Sequence, residues 1–194
     1  MDTELREAMR QLHRRKDAAY RDSWKKRGEV LSILPNIARK VDRLEYVLDG
    51  APATQDETLF DTAVDLLIYT LKYQTYLADQ DKQVAATLFA SDIAPPYSDG
   101  PKGFDKLLDN LELPHSHQAH ETLANAVTSN LSTTFTDITT RIESGTAGPV
   151  TERAERAAIL VHMAVLLVAS LTYEAPVEYR DFLRVNLKGT RDAR

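Results

Sequence analysis

Apolar residues recur along most of the chain at spacings of three and four, which is the period of an amphipathic α-helix. The segment from Gly28 to Val47 shows the pattern most clearly. Its apolar face consists of Leu34, Ile37, Val41, Leu44 and Leu48. No stretch alternates strictly between apolar and polar residues, as a half-buried strand would. The pattern therefore predicts an all-α protein.

Loop residues and capping residues set the bounds of the predicted helices. Most glycines and prolines lie near positions 49–52, 94–103 and 144–149, where they predict loops. Pro35 falls inside the second predicted helix and either starts or bends it. The result is a helical bundle of six or seven helices. They cover residues 2–20, 28–47, 54–78, 103–111, 116–143 and 151–172, followed by a short tail helix.

Two long segments share the same order of features. Residues 56–77 and 151–173 each begin with a capped acidic turn, continue as an apolar helix and follow another helix and a loop. A helix pair used twice would give a pseudo-twofold bundle, with residues 1–93 and 104–194 as the halves of one compact unit. The second half would then lack the acidic residues of the first. Two buried helices can also look alike without duplication, so both explanations remain open.

Composition narrows the class of protein. The 194 residues are 43% hydrophobic and 27% charged, which is usual for a soluble globular domain and excludes a disordered tail. The lack of cysteine excludes disulfide frameworks, thiolate metal sites and cysteine nucleophiles. The first 17 residues contain no apolar signal-peptide core, and the apolar run at 157–171 is short for a bilayer span. We therefore expect a cytoplasmic protein without a membrane segment.

Charge is distributed unevenly along the chain. The net charge is −5, yet residues 1–45 contain 12 Lys and Arg against 8 Asp and Glu, while the remainder contains 12 against 21. A basic N-terminal third can contact the phosphates of a nucleotide or of nucleic acid. A solvated helix face explains the same composition and is the favoured interpretation. Nucleic-acid binding has no other support in the sequence, so we do not expect it.

The third predicted helix carries acidic residues in an otherwise apolar sequence. Asp61 and Asp65 lie one turn apart, and Glu57 precedes them by one turn. Burying a carboxylate is costly unless it is paired or bound to a cation, and a cysteine-free oxygen cluster suits Mg²⁺ or Mn²⁺. Ion pairs with neighbouring cations would satisfy the same requirement, and the sequence does not decide between the two. The candidate cations are Lys40, Arg43 and Lys72.

Three motifs follow one another in residues 16–78. The first is an aromatic-Asp-Ser-Trp-basic-Gly-Glu turn, formed by Tyr20, Asp22, Ser23, Trp24, Lys25, Lys26, Gly28 and Glu29. A helix with Lys40, Asp42, Arg43 and Glu45 comes next, and then an acidic helix that matches D-x-x-x-D-L-x-x-Y. In this order the motifs resemble those of the MazG-like, nucleotide-modification-associated proteins common in bacteriophages. These proteins are related in motif to the all-α nucleoside triphosphate pyrophosphohydrolases.

The resemblance implies a magnesium-dependent pyrophosphohydrolase that converts a nucleoside or deoxynucleoside triphosphate to the monophosphate and pyrophosphate. In the wider superfamily an E-x-x-E pair and an E-x-x-D pair hold the metal. By position, Asp42 and Glu45 stand for the first pair and Asp65 for the final Asp. Thr62 occupies the place of the remaining Glu, so the ligand set is completed from nearby acids. The implied metal ligands are Asp42, Glu45, Glu57, Asp61 and Asp65, with Mg²⁺ or Mn²⁺ as cofactor.

The resemblance also assigns roles around this metal. A carboxylate that is not fully engaged by the metal would take a proton from water, and the candidates are Glu29 and Glu45. Cationic side chains would stabilise the phosphates, and an aromatic ring would stack on the base. The candidate substrate-binding residues are Tyr20, Trp24, Lys25, Arg27, Lys40 and Arg43. Trp24 as a core residue and the basic run as a solvated helix end remain alternatives.

Two further expectations depend on the same resemblance. The alternative function is a non-catalytic helical module that binds a nucleotide or a protein, because the E-x-x-D pair is altered and the second half lacks its acids. Family members with one helix pair need a partner chain to complete the bundle, which implies a homodimer. A duplicated chain would instead close the bundle alone.

Overall fold

The computed structural model describes residues 2–50, 57–90, 92–112 and 123–191, with the backbone alone for 188–191. Across these ranges the chain forms eight α-helices and no strand, which confirms the prediction of an all-α bundle. A 3₁₀-helix at Arg21–Trp24 and a π-helical segment at Glu29–Ile33 precede the second α-helix. The α-helices are α1 (Thr3–Tyr20), α2 (Leu34–Leu48), α3 (Leu59–Gln80), α4 (Lys82–Phe89), α5 (Lys102–Asn110), α6 (Ala124–Glu143), α7 (Val150–Glu174) and α8 (Pro176–Arg191).

Four helices form the centre of the bundle. Helix α3 packs along α7, α6 packs on α7, and α2 closes the group by contacting both α3 and α6. Helix α3 is buried along most of its length because apolar side chains occupy nearly all of its faces. Helix α1 lies outside this group and packs mainly against α8. The duplication remains a prediction, although the contacts place the corresponding helices of the two supposed pairs side by side.

Helix α7 is the second long helix of the core. Its 25 residues include a window of mean hydropathy 1.8, so by length and composition alone it is able to cross a membrane. Of that window, 56% is buried inside the bundle, and the core helix of a globular protein passes the same test. Most of the apolar side chains of α7 are buried against helices of its own chain, and Ile159 is the large aliphatic residue of α7 that is most exposed among the described residues. The cytoplasmic location and the lack of a membrane segment remain predictions.

Helix bounds differ from the predicted ones at particular residues. The second helix starts with the π-helical segment, and Pro35 follows it as the second residue of α2. The third helix has Thr58 as its N-cap. The sequence pattern does not predict α4, which follows α3 directly because Asp81 caps it through the N–H groups of Gln83 and Val84. Predicted helical positions 54–56 and 116–122 lie outside the described residues.

Candidate functional site

A pocket of about 400 Å³ lies between α1, α3 and the 3₁₀-helix, and we name it the lysine pocket. The lining residues that come from α1 and α3 recur at spacings of three and four, so the pocket follows one face of each helix. The pocket combines several cations with aromatic rings and one carboxylate. Its lining consists of His13, Lys16, Tyr20, Arg21, Ser23, Trp24, Asn36, Asp65, Ile68, Tyr69 and Lys72.

Lys72 is a buried cation in the wall of this pocket. The residue is only 7% exposed, and its Nζ lies 4.5 Å from the centroid of the Trp24 ring. Its ammonium group forms no hydrogen bond or ion pair with another of the described residues. Burial lowers the pKa of Lys72 to about 8, because removal from water disfavours the charged form. An ammonium group placed in this way is available to an anion from outside the protein.

His13 is a neutral member of the same lining. Its ring stacks on Phe104 of α5 with 3.8 Å between the centroids. Its Nδ1 is buried and has no hydrogen-bond partner among the described residues. Burial, together with the positive charges of Lys72 and Arg14, lowers the pKa of His13 to about 3. The imidazole therefore adds a polar group to the pocket at neutral pH but no charge.

Asp65 supplies the carboxylate of the lysine pocket and begins a chain of ion pairs. It accepts a hydrogen bond from Lys16 Nζ, and its Oδ2 lies 3.1 Å from Lys40 Nζ. Lys40 Nζ also lies 2.9 Å from Glu57 Oε1, and Arg43 Nη1 donates to Glu57 Oε2 at 2.6 Å. Burial disfavours the charged form of Lys40, but the two carboxylates more than offset this and raise its pKa. Both carboxylates are thus neutralised by cations of α1 and α2.

A second pocket of about 490 Å³ adjoins the first and shares Lys16 and Asp65 with it. We name it the acidic pocket, because four more carboxylates line it: Glu57, Asp61, Glu178 and Asp181. The Asp61 carboxylate accepts hydrogen bonds from the Thr58 backbone N–H at 3.1 Å and from its hydroxyl at 2.8 Å. Glu178 accepts from the Phe60 N–H at 3.0 Å. Two of these acids therefore cap the N-terminus of α3.

The structure brings together three of the five predicted metal ligands. Glu57, Asp61 and Asp65 line the acidic pocket, whereas Asp42 and Glu45 are exposed on α2. Asp42 and Glu45 follow Lys40 by two and five residues, which corresponds to rotations of about 200° and 140° around the helix axis. Both side chains therefore lie away from the face on which Lys40 meets Glu57 and Asp65. The described residues contain no group of three or more His, Asp or Glu arranged to hold a metal. In this arrangement the carboxylates of the acidic pocket are engaged by lysines, an arginine and helix-cap donors, and the Mg²⁺ or Mn²⁺ site remains a prediction.

The two predicted general bases lie outside both pockets. Glu45 is exposed. Glu29 accepts hydrogen bonds from the Tyr73 hydroxyl and from Arg153 Nη1. Burial, followed by the charge of Glu29, raises the pKa of Tyr73 and keeps its phenol protonated. Glu29 therefore ties the π-helical segment to α3 and α7.

Two of the six predicted substrate-binding residues line the lysine pocket. Tyr20 is 68% exposed and presents its ring to solvent at the pocket, whereas Trp24 is 5% exposed and belongs to the hydrophobic core. Lys25 is held by the loop at 98–99, where it pairs with an aspartate and donates to a serine hydroxyl at 2.7 Å. Arg27 is exposed and lines neither pocket. The other two residues, Lys40 and Arg43, belong to the ion-pair chain described above.

Sequence reasoning considered Lys72 only as an ion-pair partner of the acidic residues, a pair that the described residues do not form, and it did not consider His13 and Lys16 of α1 at all. Lys72 follows Asp65 by seven residues, and Tyr69 lies between them on the same face of α3. That spacing was a usable signal for Lys72. No comparable signal existed for the residues of α1, because the pairing of two helices so distant in sequence leaves no local pattern.

Comparison with known proteins gives no match for this arrangement. No protein-family model matches the chain, and no curated protein or solved structure matches it significantly. The likeness to MazG-like proteins therefore remains a resemblance carried by the motifs of residues 16–78. The function has to be inferred from the two pockets.

Proposed function

We propose that this chain is a helical nucleotide-binding protein and that the lysine pocket is its binding site. The observation that carries the proposal is Lys72, a buried ammonium group in a pocket wall with no carboxylate partner among the described residues. A largely buried charge without a directly bound counter-charge is costly for the fold, so its position favours a role in binding an anion. The resemblance of residues 16–78 indicates the class of anion.

The cations of the pocket suit phosphate groups. Lys72 and Arg21 form no ion pair with the described residues, and Lys16 pairs with Asp65 at the border of the pocket. Hydrogen bonds from ammonium or guanidinium groups to phosphate are stronger than those between neutral groups. The attraction of Lys72 for a phosphate is further strengthened by its low-dielectric surroundings. Three cations around one pocket thus support binding of a polyphosphate.

Tyr20 is the aromatic residue best placed to stack on a base. Its ring is exposed beside the pocket, and stacking on an aromatic face tolerates any base. Trp24 is less suitable, because it is packed in the core and the Lys72 ammonium already covers its ring. The proposal therefore assigns the base to Tyr20 and gives Trp24 the role of holding Lys72.

The single tryptophan of the chain makes this proposal directly testable. Because Trp24 contacts Lys72, titration with ATP and the deoxynucleoside triphosphates in the absence of metal should change its fluorescence in a saturable way. Lys72→Met should weaken binding at least about tenfold through loss of a charge-assisted hydrogen bond. Lys82→Met removes an exposed lysine that lines neither pocket and should leave the affinity unchanged. Absence of saturable binding of any nucleotide to the folded protein, checked by equilibrium dialysis, would overturn the proposal.

Metal-dependent pyrophosphohydrolysis, as the resemblance implies, is a second candidate function. The acidic pocket favours it, because Glu57, Asp61 and Asp65 line a cavity that shares Lys16 and Asp65 with the lysine pocket. Binding without turnover has more support, since these carboxylates are already engaged by cations and helix-cap donors. Pyrophosphate release that requires Mg²⁺ or Mn²⁺ and disappears in Asp65→Ala would establish hydrolysis. If neither metal supports pyrophosphate release, hydrolysis is excluded and the proposal of a binding module stands.

The homodimer implied by the resemblance remains a prediction. Most apolar side chains of α7 are buried within one chain, whereas Ile159 is 46% exposed. Sedimentation equilibrium over a range of concentrations tests the dimer directly.

A further inference from the structure

We propose that Lys72 is a nucleophilic amine that condenses with the carbonyl group of a small anionic aldehyde or ketone in the lysine pocket and forms an imine. This inference goes beyond nucleotide binding, because it concerns the covalent chemistry of one nitrogen atom and requires no nucleotide.

The position of Lys72 separates it from an ordinary lysine. It lies on the buried part of α3, its ammonium group faces the Trp24 ring, and it lines the lysine pocket. A carboxylate neighbour would hold the nitrogen in its protonated form and occupy it. Asp65, two turns earlier on the same face of α3, is itself engaged by Lys16 and Lys40. No group among the described residues therefore competes with a ligand for the lone pair of Lys72.

The surroundings of Lys72 also favour the neutral amine. Burial is the largest influence and lowers its pKa to about 8. At pH 7.4 roughly a fifth of the molecules would carry a neutral amine at this position, against about one in a thousand for an ordinary lysine. His13 is neutral and adds no charge. Four charged groups act on Lys72: Asp17 and Asp22 raise its pKa, and Lys16 and Lys25 lower it.

The proposed condensation needs no reagent beyond the carbonyl compound. The lone pair of Nζ forms a bond to the carbonyl carbon, and the carbonyl oxygen takes up the two protons that the nitrogen loses. That oxygen leaves as water, and the carbon–nitrogen double bond remains. Tyr69 lines the same pocket, and burial and the charge of Asp65 raise its pKa, so its phenol stays protonated and can donate a hydrogen bond to the carbonyl oxygen. The carbon, nitrogen and oxygen atoms keep their oxidation states, so the step needs no oxidant or reductant.

The pocket selects the class of carbonyl compound. Its volume of about 400 Å³ suits a small molecule. Lys16 and Arg21 lie in the same lining as Lys72, so a ligand with its carbonyl at Lys72 would place an anionic group near these cations. Phosphorylated and carboxylated carbonyl compounds share this chemistry.

The test uses an anionic aromatic aldehyde, pyridoxal 5′-phosphate, on the folded full chain, followed by borohydride reduction and peptide mass spectrometry. Lys72 should be the main modified residue, and its rate of modification at pH 7.4 should exceed that of exposed Lys82 at least tenfold. Pyridoxal without the phosphate should modify Lys72 more weakly. Glyoxylate, which carries a carboxylate in place of a phosphate, tests whether the pocket also accepts carboxylated carbonyl compounds. Modification of Lys82 with Lys72 untouched would overturn the inference.

The pH profile gives a second readout that needs no variant. The rate at Lys72 should be half-maximal near pH 8, and a profile that still rises steeply at pH 10 would overturn the inference. Lys72→Arg keeps the positive charge but cannot form an imine. It should lose the label. Labelling in a protein that binds no nucleotide would sink the proposed function alone, and nucleotide binding without labelling would sink this inference alone.

Discussion

Lys16 of α1 and Asp65 of α3 form an ion pair at the boundary between the lysine pocket and the acidic pocket. Both residues line both cavities, and their side chains are 37% and 10% exposed. Because Asp65 also holds Lys40, this one carboxylate balances two ammonium groups. The pair therefore controls the charge that either pocket presents to a ligand.

Replacing Asp65 by Asn should tighten nucleotide binding and weaken the fold. Lys16 and Lys40 lose their shared counter-charge, and we expect the free energy of unfolding to fall by about 1–3 kcal/mol. The freed Lys16 should raise the affinity for a triphosphate several-fold. Urea denaturation and the Trp24 fluorescence titration measure the two effects. Asp181→Asn, which changes an exposed carboxylate of the acidic pocket, is the control, and weaker binding in Asp65→Asn would contradict the binding assignment.

Lys72→Met should stabilise the protein at neutral pH. Burial lowers the pKa of Lys72 to about 8, and a depression of about two units corresponds to at most roughly 3 kcal/mol. Between pH 8 and about 10.4 the unfolded chain binds more protons at this position than the native one, so wild-type stability rises with pH relative to the variant. Guanidinium unfolding should show a gain of about 1–3 kcal/mol at pH 7 that shrinks by pH 10. Lys82→Met should show neither effect.

Mild acid should destabilise the protein through His13. Its pKa of about 3 lies well below the ordinary value, so below about pH 6.5 the unfolded chain takes up a proton that the native state does not. Wild-type stability should therefore fall by about 2 kcal/mol between pH 6.5 and pH 5, beyond any loss seen in His13→Gln. Denaturant unfolding across this range measures the difference. His162→Gln, at an exposed position, should follow the wild-type profile, and parallel curves for wild type and His13→Gln would refute the assignment.

Thr58 and Asp61 should behave as one capping unit. Thr58 Oγ1 accepts the Asp61 N–H at 3.1 Å, and the Asp61 carboxylate accepts the Thr58 N–H at the same distance. Each alanine variant should cost about 1 kcal/mol. The double variant should cost less than their sum, because either change breaks the reciprocal pair. Thermal unfolding of the four proteins measures the coupling, and additive losses would argue against the cap.

Helical periodicity was sufficient for the fold class because it is a local property. Each apolar stripe can be read within one helix, and the apolar character of α3 correctly indicated burial. The acidic residues in that helix pointed to Asp65, which does line both pockets. The alternative of an ion pair with Lys40, which the sequence left open, is the arrangement observed.

The rest of the site depended on contacts between distant segments. Lys16 is 49 residues from Asp65, and from the sequence alone α1 has the composition of a solvated basic helix. Asp42 and Glu45 were placed by motif position, whereas the side of α2 that meets Glu57 carries Lys40 and Arg43. Such choices depend on how each helix is rotated about its axis, and local periodicity leaves that rotation open for polar residues at the edge of a buried face.

The packing of α1 against α8 has a consequence for synthesis of the chain. Arg15 donates a hydrogen bond to Asn186, and the Tyr179 hydroxyl donates to Asp2 at 2.9 Å, across 171 and 177 residues of sequence. During translation α1 leaves the ribosome before α8 exists, so the part of α1 that packs on α8 has no native cover until residues near 186 have emerged. The contacts of His13 with α5 and of Lys16 with α3 can form earlier, but the α1 wall of the lysine pocket is complete only once α8 has packed on it. Ligand binding by nascent chains should therefore arise abruptly, at the length where α8 clears the exit tunnel.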